Sequence, residues 1–135
     1  MITAVDTNVL IDVLGADPRF GPGSRSSLRA SLNDGVVIAC SVVWAEVIAA
    51  FRDPDATEAA LMRFPVVYAD LNQSAASRAG LAWRAYRVAG GPRERLIADF
   101  LVGAHALEHA DRLLTRDRGF QRAAFEGLTI IDPSR

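Results

Sequence analysis

The chain has 135 residues, half of them hydrophobic, and a formal net charge of -1. That suits one domain spanning residues 1–135, with a core large enough to exclude disorder, and no apolar run approaches the roughly 20 residues of a membrane helix. All fifteen basic residues are arginine, so the chemistry of a P-loop lysine or a Schiff-base lysine is excluded.

Strand-like and helix-like stretches alternate along the chain. Ile2-Thr3-Ala4-Val5 is a short apolar run that stops at Asp6, and a helix is predicted over 7–14. A Gly/Pro loop over 15–23 precedes a helix over 24–32. The turn Asn33-Asp34-Gly35 leads into a strand over 36–39, then helices over 41–51 and 54–64. After Pro65 comes a strand over 66–69, then the longest helix, 72–89, closed by Gly90-Gly91-Pro92. A helix over 96–109, a strand over 113–115, a short helical piece near 120–125 and a strand over 128–131 complete the order. The strands are β-branched or Leu-rich without clear alternation, as in strands buried on both faces of a parallel sheet. Strands alternating with helices predict a three-layer α/β domain with a mostly parallel sheet.

In open α/β sheets, sites form at the carboxyl ends of strands. Asp6 ends the first strand and Asp117 follows the fourth; alone, either reads first as a helix cap. Glu46 has Val42, Val43, Ala49 and Ala50 at helical spacing, which predicts an apolar face. A carboxylate there must be paired with an arginine or bind a metal. Asp99 is the one acid in Leu96-Ile97-Ala98-Asp99-Phe100-Leu101-Val102-Gly103, where it could also serve as a favourable charge in the first helical turn. Together these four acids form a more specific pattern than any one of them. Clustered carboxylates repel one another and are tolerated beside a divalent cation. Oxygen ligands with few nitrogen or sulfur donors select Mg²⁺ or Mn²⁺, ions that activate water and stabilise in-line displacement at phosphate.

The ordered set Asp6-Thr7-Asn8, Glu46, Asp99 in DFLVGAHAL and Asp117 in LLTRDRGF resembles the PIN-domain nucleases, most of all the VapC-type toxins of bacterial toxin–antitoxin pairs. The resemblance runs from VDTNVLID to the last strand, LTIIDP, and none of the acids is missing. It implies a five-stranded sheet of order 3-2-1-4-5 with helices on both faces. It also implies a Mg²⁺- or Mn²⁺-dependent endoribonuclease acting on tRNA, rRNA or mRNA, a homodimer, and a hetero-oligomer with an inhibitory VapB-type antitoxin. By position, Asp6 and Asp99 look like the main metal ligands, with Glu46 and Asp117 binding directly or through water. Asn8 and Thr115 resemble polar residues that orient ligands, although Asn8 could equally serve to start the first helix. Arg95 and Arg116 could touch RNA phosphate or an antitoxin carboxylate, or be plain surface arginines.

Other readings stay open. A PIN-like binding module without its own activity and a nuclease acting on DNA both fit, since nothing in the sequence reads a 2'-hydroxyl. His105-Ala106-Leu107-Glu108-His109 spells H-x-x-E-H, a zinc-protease pattern; the five-residue match is short, and the chain beyond offers Glu126 alone as a further ligand. A receiver-like domain also places Asp after its first strand, but relies on a lysine that this chain lacks. Cys40 is the single cysteine, so no intrachain disulfide can form, and with no signal peptide in view the expected location is the cytoplasm. Residues 1–70 hold five Arg against nine acids, and residues 71–135 ten Arg against seven. That asymmetry permits an anionic partner near the second half. In the longest helix, Leu81, Trp83, Tyr86 and Val88 exceed what one core face needs; core packing is the first reading for most of them, and a dimer or antitoxin surface the further one.

Overall fold

The computed structural model describes residues 1–92, 97–117 and 125–134. Among them, β1 (Ile2–Val5) leads into α1 (Thr7–Leu14) and α2 (Gly21–Asp34). Then follow β2 (Val36–Cys40), α3 (Ser41–Ala50), α4 (Pro54–Arg63) and β3 (Val67–Ala69). The chain continues through α5 (Gln73–Val88), α6 (Ile97–His109), β4 (Arg112–Leu114) and β5 (Thr129–Ile131). The five strands form one sheet of order β3-β2-β1-β4-β5, and every pairing is parallel. Among the described residues, no helix is long and apolar enough to cross a membrane.

The core explains the order. β1 lies at the centre, and its Ala4 and Val5 are buried with Val37, Ala39, Leu113 and Leu114 of the strands beside it. α6 packs against β1 and β4, α2 and α3 against β2, and α1 against α2 and α3. Phe100 of α6 joins Tyr86 and Phe125 in a tilted aromatic row, with ring centroids 5.3 and 5.9 Å away. Aromatic pairs at such spacings add to the stabilisation from burial alone.

The sequence reading places most element ends within a residue or two. The exception is α2, which starts at Gly21 inside the stretch expected to be a loop. Pro22 lies in its first turn, where a helix needs no N–H, so the proline starts the helix instead of delaying it. The piece expected near 120–125 falls outside the described residues except for Phe125, which is buried at the start of a turn. In α5, Leu81 and Val88 are exposed, but Trp83 and Tyr86 pack against the core and the Tyr86 hydroxyl donates to the Pro92 carbonyl at 2.8 Å. The apolar surplus of that helix is therefore smaller than its composition suggests.

The turn from α2 into β2 sits directly on the start of β1. The Val36 N–H donates to the Met1 carbonyl at 3.0 Å, and a Cβ on Gly35 would lie 2.0 Å from that same oxygen. Gly35→Ala is expected to cost more than about 1 kcal/mol, since the backbone cannot retreat without breaking the strand pairing. A urea midpoint equal to wild type would count against this close approach.

Candidate active site

The site forms at the carboxyl ends of β1 and β4. Val5 pairs with Leu114, so the next residues, Asp6 and Thr115, arrive level with each other. The Thr115 hydroxyl donates to Asp6 Oδ2 at 2.8 Å, and the Asp6 N–H donates to the Leu114 carbonyl at 2.9 Å. Asp6 also caps α1, its Oδ1 accepting from the Thr7 N–H at 2.8 Å. The helix-cap reading thus holds for this carboxylate.

Asn8 completes the polar frame. Its Nδ2 lies 3.3 Å from Asp6 Oδ2 and 3.2 Å from Thr115 Oγ1, while its Oδ1 accepts from the Arg116 N–H at 3.2 Å. The Asp117 N–H donates to Thr115 Oγ1 at 3.1 Å. One hydroxyl therefore gives its proton to Asp6 and accepts from the main chain that carries Asp117.

Charge is concentrated here. The pKa of Asp6 is raised to about 6, chiefly by burial; hydrogen bonds from Thr115 and Thr7 oppose the rise, and the Asp99 and Glu46 carboxylates add to it. Asp99 of α6 and Glu46 of α3 therefore lie within electrostatic reach of Asp6, just after β1. The buried Cys40 thiol is pushed up by burial, with Asp6 and Glu46 also contributing, which keeps it protonated.

Glu46 departs from its expected setting. It is exposed, not buried on an apolar face, and its Oε1 accepts from the Thr7 hydroxyl at 2.7 Å. Helix α3 is apolar nearly all round, so spacing could not tell which side faces the core; Val43 and Val47 do. Thr7, the middle residue of the Asp6-Thr7-Asn8 motif, bridges two of the acids: its N–H holds Asp6 and its hydroxyl holds Glu46. Asp99 is half-buried in the first turn of α6, and Asp117 is half-buried just after β4.

Arg116 is not a plain surface arginine. Its Nε and Nη2 meet the two carboxylate oxygens of Asp12 at 2.8 and 2.9 Å, and Asp12 is 1% exposed. Arg95 lies outside the described residues. The H-x-x-E-H residues sit in the seam between α5 and α6. His105 is buried, with its pKa lowered first by burial and then by neighbouring His109, whose ring is 4.9 Å away. Ser74 hydrogen-bonds Glu108, and Asn72 Nδ2 lies 3.2 Å from His109 Nε2.

Asp6, Glu46, Asp99 and Asp117 offer oxygen donors alone, a set that suits a hard divalent cation. A carboxylate whose ionisation is resisted by burial and by two like charges gains most from such a cation. Among the described residues, no three carboxylate, imidazole or thiol side chains stand close enough to form a ready-made cage. Binding would need the side chains to close in.

Comparison with known proteins follows the same lines. The family model described as "PIN domain" matches residues 3–126. VapBC2 from Rickettsia felis, bound to a DNA fragment from its promoter, is similar in fold: TM-score 0.77 and 17% identity over 98% of each chain. A toxin–antitoxin complex from Klebsiella pneumoniae gives TM-score 0.72 and 21% identity over 97% of each chain. Mycobacterium tuberculosis VapC20, a sarcin–ricin loop cleaving toxin, gives TM-score 0.66 and 19% identity over 94% of this chain and 98% of its own. At these identities the likeness is one of fold. No curated protein sequence matches the chain significantly.

The raised pKa of Asp6 has a measurable consequence. Its protonated form favours the folded state, a contribution complete below the unfolded value of 3.8 and lost as pH rises through about 6. Asp6→Asn mimics that form at every pH. Between pH 4 and 7.5 the stability difference should therefore move toward the variant, on the order of 1–3 kcal/mol. Parallel pH profiles for the two proteins would contradict it.

Proposed function

We propose that this chain, which belongs to the PIN-domain family, is a VapC-type toxin: a Mg²⁺- or Mn²⁺-dependent endoribonuclease restrained by a VapB-type antitoxin. The observation that carries this reading is the acid at the end of β1: Asp6, its pKa raised to about 6 chiefly by burial, with the Asp99 and Glu46 carboxylates adding to the rise. A fold gains nothing from gathering like charges unless they serve a cation or a reaction. The family match, the toxin–antitoxin complex and the sarcin–ricin loop cleaving toxin of similar fold support the same reading.

In this reading Asp6 and Asp99 would hold the cation, with Glu46 and Asp117 joining directly or through water. When bound, the cation lowers the pKa of water and offsets charge building on the scissile phosphate. The chain's own residues do the positioning. Thr115 and Asn8 fix the Asp6 oxygen they share, and the Thr7 N–H fixes the other. The Thr7 hydroxyl restrains Glu46, which is free on its solvent side to swing toward a ligand. Such an arrangement hydrolyses a phosphodiester to leave 5'-phosphate and 3'-hydroxyl ends. Assembly as a homodimer, inhibition by the antitoxin tail and action in the cytoplasm belong to the same proposal.

The purified chain, freed of antitoxin, should cut total cellular RNA with Mg²⁺ or Mn²⁺ and stop with EDTA. Asp6→Asn and Asp99→Asn should each lower the rate by at least about a hundredfold while leaving the circular dichroism spectrum unchanged. Sequenced ends bearing 2',3'-cyclic phosphate would exclude the route. No cleavage of any RNA would favour a binding module, and cleavage confined to DNA would reassign the substrate.

A further inference from the structure

Residue 116 lies between two residues of the site, Thr115 and Asp117, in a segment that is neither helix nor strand. It is fastened to α1 twice. Its N–H donates to Asn8 Oδ1 at 3.2 Å, and its guanidinium grips Asp12 with two bonds of 2.8 and 2.9 Å. Asn8 and Asp12 are one turn apart and share a helix face. The segment carrying Asp117 is thus held at two levels along the helix that Asp6 caps.

The side-chain fastening is built with care. A buried carboxylate is costly unless its lone pairs are met, and a bidentate arginine is the partner that meets them best. The Ser24 hydroxyl supplies a further bond to Asp12 Oδ2 at 2.8 Å. The Phe20 ring lies beneath the guanidinium, 4.0 Å from its central carbon, so the fork is clamped from its flat side. Ser24 and Phe20 belong to the start of α2, which ties three parts of the chain to one arginine. A lysine has the charge but not the planar fork.

We infer that Arg116 and Asp12 are a positioning pair that sets the placement of Asp117 and Thr115 relative to Asp6. Arg116 acts through its neighbours in the chain. Its guanidinium is turned onto α1, with Nε and Nη2 given to Asp12. Small displacements of catalytic groups carry large penalties; the Thr115 N–H is tied to the Ile131 carbonyl of β5 at 3.0 Å, and the Arg116–Asp12 pair extends the fastening past the end of the strand. The purpose assigned to the pair rests on the nuclease reading; the fastening itself does not.

The test pairs Asp12→Asn with Arg116→Met, which removes both charges together and leaves a thioether over Phe20. The double variant should stay folded, with amide hydrogen exchange at positions 116 and 117 about tenfold faster than wild type and exchange at Leu113 and Leu114 unchanged. Its Mn²⁺ affinity, measured by calorimetry on metal-free protein, should fall by about tenfold or more. Arg116→Lys should give smaller changes in the same direction, and decides the matter by the same measurements if the double variant does not fold. Unchanged exchange at both positions in a folded variant overturns the fastening. Faster exchange with unchanged Mn²⁺ affinity overturns the positioning role. A wild-type protein that binds no Mn²⁺ defeats the nuclease reading instead, and exchange then still decides the fastening.

Discussion

The hydrogen bond from Thr115 to Asp6 is the interaction on which the site depends. It joins the ends of two neighbouring parallel strands whose pairing, Val5 with Leu114, brings the two residues level. Asp6 is pulled in opposite directions there. Burial and two facing carboxylates resist its ionisation, while Thr115 and Thr7 supply the hydrogen bonds that make the charge tolerable. The central position of β1, with β2 on one side and β4 on the other, makes this end of the sheet a place where several elements deliver side chains to one point. α3 places Glu46 and α6 places Asp99 within electrostatic reach of Asp6.

Much of this was legible in the sequence, for a physical reason. Strands buried on both faces are apolar throughout, so an acid at the end of such a run, as at Asp6 after Ile2-Thr3-Ala4-Val5, stands out. Asp99 stands out in the same way within α6. The strand order came with the family resemblance; periodicity gave no more than the alternation of elements. Glu46 shows where spacing fails, because a helix that is apolar on nearly every side does not reveal which side is inward. Asp12 shows a second failure. It sits in VLIDVL with nothing nearby to mark its partner, and that partner is one arginine of fifteen, 104 residues further on. Pairings at such separations are fixed by the sheet, and the local sequence carries no trace of them.

The arginine excess of the second half is partly spent inside the fold. Arg116 serves Asp12, and Arg112 reaches the Thr3 hydroxyl at 2.8 Å and Asp34 at 3.0 Å. Arg78 approaches Glu108 at 4.0 Å, a loose and half-exposed contact of little energetic weight. The seam of α5 and α6 is instead held by Ser74 with Glu108 and Asn72 with His109. Because α6 carries Asp99 in its first turn, these polar ties along the seam restrain a helix that also serves the site. The histidine pair finds its use there, as a packed joint between two helices.

The bond between Asp6 and Thr115 spans 109 residues of sequence, and this has a consequence for a chain still being made. Asp6 leaves the ribosome 109 residues ahead of the partner that fixes it. A nascent fragment holds Asp6, Thr7 and Glu46 yet lacks the strand that would bring Thr115 beside them. Contacts of such long range form late, after the intervening chain has been ordered. The centre therefore cannot exist before the strand that leads into Thr115 has been made and has paired with β1.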